Sequence, residues 1–138
     1  MSEFNFSNLK IWLIEDSEVY RTVLNKLLIT CTPYSIAKEF VDEVDITHLM
    51  QNLDVQDAEL PDLILLDLYL PNIDGWDILN RLSDLKISKP VIIISTSSSQ
   101  DDILRSKSYP NVVGYFVKSD FPANLFEMIR ALDTTEIA

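Results

Sequence analysis

The chain has 138 residues, 47% of them hydrophobic, enough for one domain with a substantial core that needs neither a disulfide nor a structural metal to fold. Its 22 acidic and 11 basic residues leave a formal net charge of -11, which argues against a sequence-independent grip on nucleic-acid phosphates, so no direct nucleic-acid partner is expected. Cys31 is the one cysteine, which rules out an internal disulfide and a multi-cysteine metal site; packing is its expected role.

Met1–Lys10 lacks the basic-then-apolar pattern of a secretory signal, and no apolar run approaches the roughly 20 residues that span a bilayer, so the expectation is a cytoplasmic protein without membrane insertion. Ile11–Ile14 reads as a first buried strand. Tyr20, Val23, Leu24, Leu27, Leu28 and Cys31 then recur at helical spacing over three turns. A second strand falls within Tyr34–Phe40, and Ile46, Leu49, Met50 and Leu53 mark the buried face of a second helix, with His48 beside that stripe in a structural role. Leu63–Leu66 is the third strand and Ile78, Leu79, Leu82 and Leu85 the face of the third helix. Val91–Ile94 is the fourth strand, followed by a more polar helix from Gln100 to about Lys107 that Asp101 and Asp102 favour at its start. Val112–Val117 is the fifth strand, and Leu125, Phe126, Ile129 and Leu132 mark the last helix, with Pro122 suited to its first turn. Trp12 and Trp76 are expected to pack against the core.

Five strand–helix alternations with right-handed crossovers build an α/β fold of three layers, a parallel sheet between helices. Ligand sites in such sheets form at the carboxyl ends of strands. Here those ends carry Glu15 and Asp16, Asp67, Ser95 and Lys118: three carboxylates, a hydroxyl and an ammonium on one edge. Carboxylates so close repel one another, and a hard divalent cation such as Mg²⁺ or Mn²⁺ is the natural remedy. With a cation bound, a carboxylate can attack phosphorus to give an acyl phosphate, the charge being met by the metal, Lys118 and the Ser95 hydroxyl. P-loop chemistry is disfavoured because Gly75 and Gly114 are the only glycines and no Gly-Lys-Ser/Thr sequence occurs. A flavin-type phosphate cradle at Ser95–Ser99 is disfavoured by the acidic first loop, Glu15-Asp16-Ser17-Glu18.

Ile11-Trp12-Leu13-Ile14-Glu15-Asp16-Ser17, Pro61-Asp62 through Asp74-Gly75, Pro90-Val91-Ile92-Ile93-Ile94-Ser95-Thr96 and Gly114-Tyr115-Phe116-Val117-Lys118 follow in the order and at the distances of one family. Over roughly Leu9 to Leu132 the chain resembles the receiver domains of two-component response regulators, of the stand-alone type. The resemblance implies a flavodoxin-like (βα)5 domain with a five-stranded parallel sheet in the order 2-1-3-4-5, an extension over 1–8, the domain at 9–132 and a tail at 133–138. It implies Asp67 as phosphoacceptor, Asp16 as a direct metal ligand, Glu15 reaching the metal through water and the Tyr69 carbonyl completing the protein ligands. Ser95 and Lys118 would contact the phosphoryl group, and Ser95 and Tyr115 would report it to the surface of the fourth helix, fifth strand and fifth helix. A histidine kinase or phosphotransfer protein would donate, a downstream protein of unknown identity would read the signal, and a homodimer is compatible. Self-catalysed phosphotransfer and dephosphorylation make it a signalling phosphoacceptor rather than an enzyme. The alternative is a phosphorylation-independent interaction module.

Three positions depart from the family pattern. Ser119 replaces the usual proline after the lysine, and a cis bond before serine costs about 2.5–4 kcal/mol, so either the surroundings enforce it or the loop is rebuilt. Thr96 stands where a small alanine is common. Tyr69 is bulky two residues after the phosphoacceptor and is expected to shield an acyl phosphate from water.

Overall fold

A computed structural model describes residues 8–54, 56 and 58–133; most of the expected 1–8 extension and 134–138 of the tail lie outside them. The order of elements is β1 (Ile11–Ile14), α1 (Glu18–Cys31), β2 (Ile36–Phe40), α2 (Glu43–Asn52), β3 (Leu63–Asp67), β4 (Tyr69–Leu70), β5 (Ile73–Asp74), α3 (Gly75–Asp84), β6 (Val91–Ser95), α4 (Gln100–Ser106), β7 (Val112–Val117) and α5 (Pro122–Leu132). The large sheet runs β2-β1-β3-β6-β7 with every pairing parallel, which is 2-1-3-4-5 when only its five strands are counted. This is the expected flavodoxin-like order.

The two faces of each central strand feed two separate cores. Ile11, Leu13, Leu63, Leu65, Ile92 and Ile94 pack with Leu24 and Leu28 of α1 and Leu125, Phe126 and Ile129 of α5. The alternate residues Ile14, Ile64, Leu66, Val91 and Ile93 pack with Ile46 of α2 and Ile78, Leu79 and Leu82 of α3. Strand alternation therefore explains why β1 is apolar throughout and β3 and β6 are apolar up to their last residue: both faces are covered. α4 packs beside α3, with the Arg105 guanidinium 4.3 Å from the Trp76 ring centroid and Trp76 stacked on Tyr109. Trp12 is buried and meets Phe40 edge-on, so both tryptophans pack as expected.

Helix α1 differs from its expected face. Leu24 and Leu28 are buried and Tyr20 and Leu27 partly so, but Val23 and Cys31 are exposed. The sheet contacts only a narrow stripe of this helix, and the two residues at the stripe's edges fall outside it. Cys31 is therefore a surface thiol rather than a packing residue. His48 is exposed on α2, its Nδ1 3.1 Å from Asn52 Nδ2 one turn later.

The hairpin β4–β5 follows Asp67 directly. Asn72 turns it with φ of 62°, a left-handed conformation that asparagine tolerates. Gly75 closes the loop by donating its N–H to the Leu68 carbonyl at 2.9 Å. A Cβ at Gly75 would stand 2.6 Å from Leu68 Cα, so only glycine lets α3 begin this close to the end of β3.

Candidate functional site

Strand ends set the site. Asp67 and Ser95 are the last residues of β3 and β6, one residue longer in each case than the expected strands, and Glu15 follows β1. Glu15 and Ser95 are fully buried and Asp67 is 5% exposed, unusual surroundings for carboxylates. The carboxylate oxygens of Glu15, Asp16 and Asp67 offer ligand atoms that all lie within 4.8 Å of one another. Burial is the first cause that raises both Glu15 and Asp67 above their ordinary pKa, and the charge of Asp67 adds to the rise at Glu15.

The acidic loop is held from three sides. Glu15 N–H donates to the Phe40 carbonyl at 3.1 Å, and Ser17 N–H donates to Glu15 Oε2 at 3.0 Å. Ser17 caps α1 by accepting from Tyr20 N–H at 3.1 Å, an arrangement worth about 1 kcal/mol. Arg21, one turn into α1, donates to the carbonyls of Glu15 and Asp16 at 3.1 and 2.8 Å and is itself paired with Glu39 of β2 at 3.4 Å.

Lys118 follows β7 and reaches across the sheet edge. Its Nζ pairs with Glu15 Oε1 at 2.6 Å and donates to Asp67 Oδ2 at 3.2 Å. Burial works to lower the lysine's pKa, but the two carboxylates outweigh it and hold the group above its ordinary value. The Lys118 backbone N–H donates to the Ser95 carbonyl at 2.7 Å. No peptide bond among the described residues is cis, so at Ser119 the loop is the rebuilt one, turned by Asp120 N–H donating to the Val117 carbonyl at 2.9 Å.

The remaining residues form a second layer over Asp67. Tyr69 N–H donates to Asp67 Oδ1 at 3.0 Å, while its 54% exposed side chain reaches Asp102 in the first turn of α4, hydroxyl to Oδ2, at 2.5 Å. That hydrogen bond is the main reason the Tyr69 hydroxyl is raised to about 12. Ser97 donates from Oγ to the same Asp102 oxygen at 2.7 Å and from N–H to Ser95 Oγ at 3.0 Å. Tyr115 donates its hydroxyl to the Ser97 carbonyl at 2.8 Å. Ser99 caps α4, and Thr96 is exposed.

Glu15, Asp16, Asp67, Ser95 and Lys118 thus converge on one edge, with Tyr69 and Tyr115 at its rim. Sequence reasoning gave Tyr20 only a place on the apolar face of the first helix, gave Arg21 no part and gave Asp102 only the start of a helix. The signal for Arg21 was its place one helical turn beyond Ser17, aimed back at the loop. Among the described residues no helix is long and apolar enough to cross a membrane.

Fold and site together define a doubly wound α/β domain whose strand ends bring an acid cluster and a lysine onto one aspartate. The family model for the response regulator receiver domain matches residues 11–130. Response regulator Rcp1 of Synechocystis sp. is 32% identical over 131 residues, covering 90% of this chain and 86% of that protein. Sporulation initiation phosphotransferase F of Bacillus subtilis is 32% identical over 100 residues, 72% of this chain and 74% of that one. Among solved structures, the Mn²⁺-bound form of Rcp1 superposes with a TM-score of 0.66 at 28% identity, covering 94% and 96% of the two chains. The phosphorylated cyanobacterial phytochrome response regulator RcpA gives 0.66 at 30% identity, covering 96% of each chain. The chain belongs to the response regulator receiver domain family.

Proposed function

We propose that this receiver domain takes a phosphoryl group on Asp67 from a phosphohistidine of a histidine kinase or phosphotransfer protein, with Mg²⁺ bound at Glu15, Asp16 and Asp67. The single observation that carries the reading is the clustering of these three carboxylates, two of which, Glu15 and Asp67, pair with the Lys118 ammonium. The donor set fits the ion: mutually repelling hard oxygens, two of the three carboxylates buried and Asp16 half-buried, are what a small divalent cation stabilises, and the Mn²⁺-bound relative supports a metal of that charge. Asp16 and Asp67 would hold the ion directly, with the Tyr69 carbonyl, and Glu15 through water. When bound, the cation supplies charge neutralisation for the incoming phosphoryl oxygens.

An Asp67 carboxylate oxygen attacks phosphorus as the donor's P–N bond breaks, leaving an acyl phosphate here and an imidazole that takes a proton from solvent. Lys118 pairs with one phosphoryl oxygen, and the Ser95 hydroxyl turns from Ser97 N–H to donate to another. Ser97 then loses an acceptor, and Tyr115, bonded to the Ser97 carbonyl, moves with it. The output is a changed α4–β7–α5 surface read by a downstream protein. The unit at 9–132 does this in the cytoplasm.

Donor docking has a fitting surface beside the site. Val19 (74% exposed) and Val23 line an apolar groove of about 330 Å³ between α1 and α5 that ends at Lys118, and Phe121 (78% exposed) stands next in the chain to Pro122, another of its lining residues. Exposed apolar side chains clustered at a reaction centre are what a protein partner buries.

Beryllofluoride, which mimics the acyl phosphate, tests the switch. In Mg²⁺ the amide resonances of Ser97, Tyr115 and α4 should shift together with those of Asp67; shifts confined to the acidic loop would refute signalling through α4–β7–α5.

A further inference from the structure

Tyr20 stands apart from the machinery described so far, yet it closes a ring of contacts around the reactive lysine. Lys118 Nζ lies 4.4 Å from the centroid of the Tyr20 ring, within the range of an attractive cation–π contact. Tyr20 N–H is held by Ser17 Oγ, Ser17 N–H is held on Glu15 Oε2, and Glu15 Oε1 returns to Lys118 Nζ at 2.6 Å. The N-cap of α1 thus sets the ring, the acid and the ammonium as one unit. Tyr20 is half-buried, and its hydroxyl is pushed up to about 12 by burial and by the charges of Glu15 and Asp67, so the ring faces the lysine in its neutral form.

This matters because the carboxylates cannot keep Lys118 throughout the reaction. On the reading above, a metal ion draws on Asp67 and the Glu15 side, and both anions that hold the ammonium become engaged elsewhere. Until a phosphoryl oxygen reaches the ammonium, the ring face is the partner that remains. The loop after Lys118 adds less restraint, since Ser119 and Asp120 are exposed.

We propose that Tyr20 is a positioning residue for phosphoryl transfer: its aromatic face keeps the Lys118 ammonium at Asp67 while the carboxylates are taken by metal and phosphoryl group. The inference rests on the proposed phosphoacceptor reading and goes beyond it. The ring, rather than its bulk or hydroxyl, carries the effect.

Tyr20→Phe keeps the face, and Tyr20→Leu fills the space without it. With a small-molecule phosphodonor and saturating Mg²⁺, Tyr20→Phe should phosphorylate within about twofold of wild type and Tyr20→Leu roughly tenfold more slowly, at unchanged Mg²⁺ affinity and melting temperature. Rates equal in all three proteins, or Tyr20→Phe falling as far as Tyr20→Leu, would overturn the proposal. A second readout is independent of phosphorylation: the Lys118 ε-methylene proton resonances should be displaced upfield by the ring in wild type and Tyr20→Phe and lose that displacement in Tyr20→Leu. The displacement must persist when Mg²⁺ saturates the site; its disappearance on adding Mg²⁺ to wild type would also overturn the proposal. If wild type takes no phosphate on Asp67, the phosphoacceptor reading fails by itself, and the methylene resonances still decide whether the ring holds the lysine.

Discussion

Lys118 Nζ stands 2.6 Å from Oε1 of Glu15, a carboxylate with no exposed surface. Two opposite charges at this distance satisfy each other only in part, because Asp67 and Asp16 crowd the same corner. The metal-free site is thus over-supplied with negative charge, and its pH behaviour follows.

Burial raises Glu15 and Asp67, so the folded, metal-free chain binds their protons more tightly than the unfolded chain does. Ionising them therefore costs stability above the unfolded values, and that cost fades as pH falls through the raised folded values. Metal affinity has the opposite sign, because protonation removes ligands. Mg²⁺ titrations followed by tryptophan fluorescence should show affinity falling roughly tenfold or more between pH 7.5 and pH 5. A pH-independent affinity would contradict the assigned ligands.

Asp67→Asn removes one of the buried charges while keeping the shape. Without metal it should raise the melting temperature by roughly 2–6 °C, and it should reduce the stabilisation that wild type gains from Mg²⁺. Thermal melts of both proteins with and without Mg²⁺ check this. A lower melting temperature for Asp67→Asn without metal would mean that its pairing with Lys118 outweighs the repulsion.

Tyr69, Asp102 and Ser97 form a latch over Asp67 that ties the β3–β4 corner to α4. Tyr69→Ala should shorten the acyl-phosphate half-life roughly threefold or more by opening the site to water. Asp102→Ala should shorten it in the same direction, since it frees both hydroxyls. The decay of acid-labile phosphate after removal of the donor measures this. Unchanged decay in Tyr69→Ala would remove the shielding role.

Phe121→Ser and Val19→Ser alter exposed side chains beside the site rather than within it. Transfer from a protein donor should slow roughly tenfold while transfer from a small-molecule donor stays as in wild type. Equal slowing with both donors would place the defect in the site and not in docking.

Much of the fold was legible because each central strand announces itself by continuous apolar residues, and the polar residue that ends each run lies on the edge where these side chains converge. Glu15, Asp67, Ser95 and Lys118 were placed on that edge by that rule alone. Periodicity was less informative for α1, where Val23 and Cys31 fit the helical pattern but lie beyond the stripe that the sheet covers. Contacts between side chains distant in sequence and away from those strand ends were not legible. Tyr20 and Lys118, or Tyr69 and Asp102, meet only because the crossovers set their elements side by side, and nothing local in either partner encodes the other. The short β4–β5 hairpin likewise depends on Asn72 and Gly75 acting together.

The most direct test of the account is intact-protein mass spectrometry after incubating wild type and Asp67→Asn with a small-molecule phosphodonor, each with and without Mg²⁺. The account predicts one added phosphoryl group in wild type, dependent on Mg²⁺ and absent from the variant. The same adduct in Asp67→Asn, or none in wild type with either a small-molecule donor or a phosphorylated histidine donor, would contradict it.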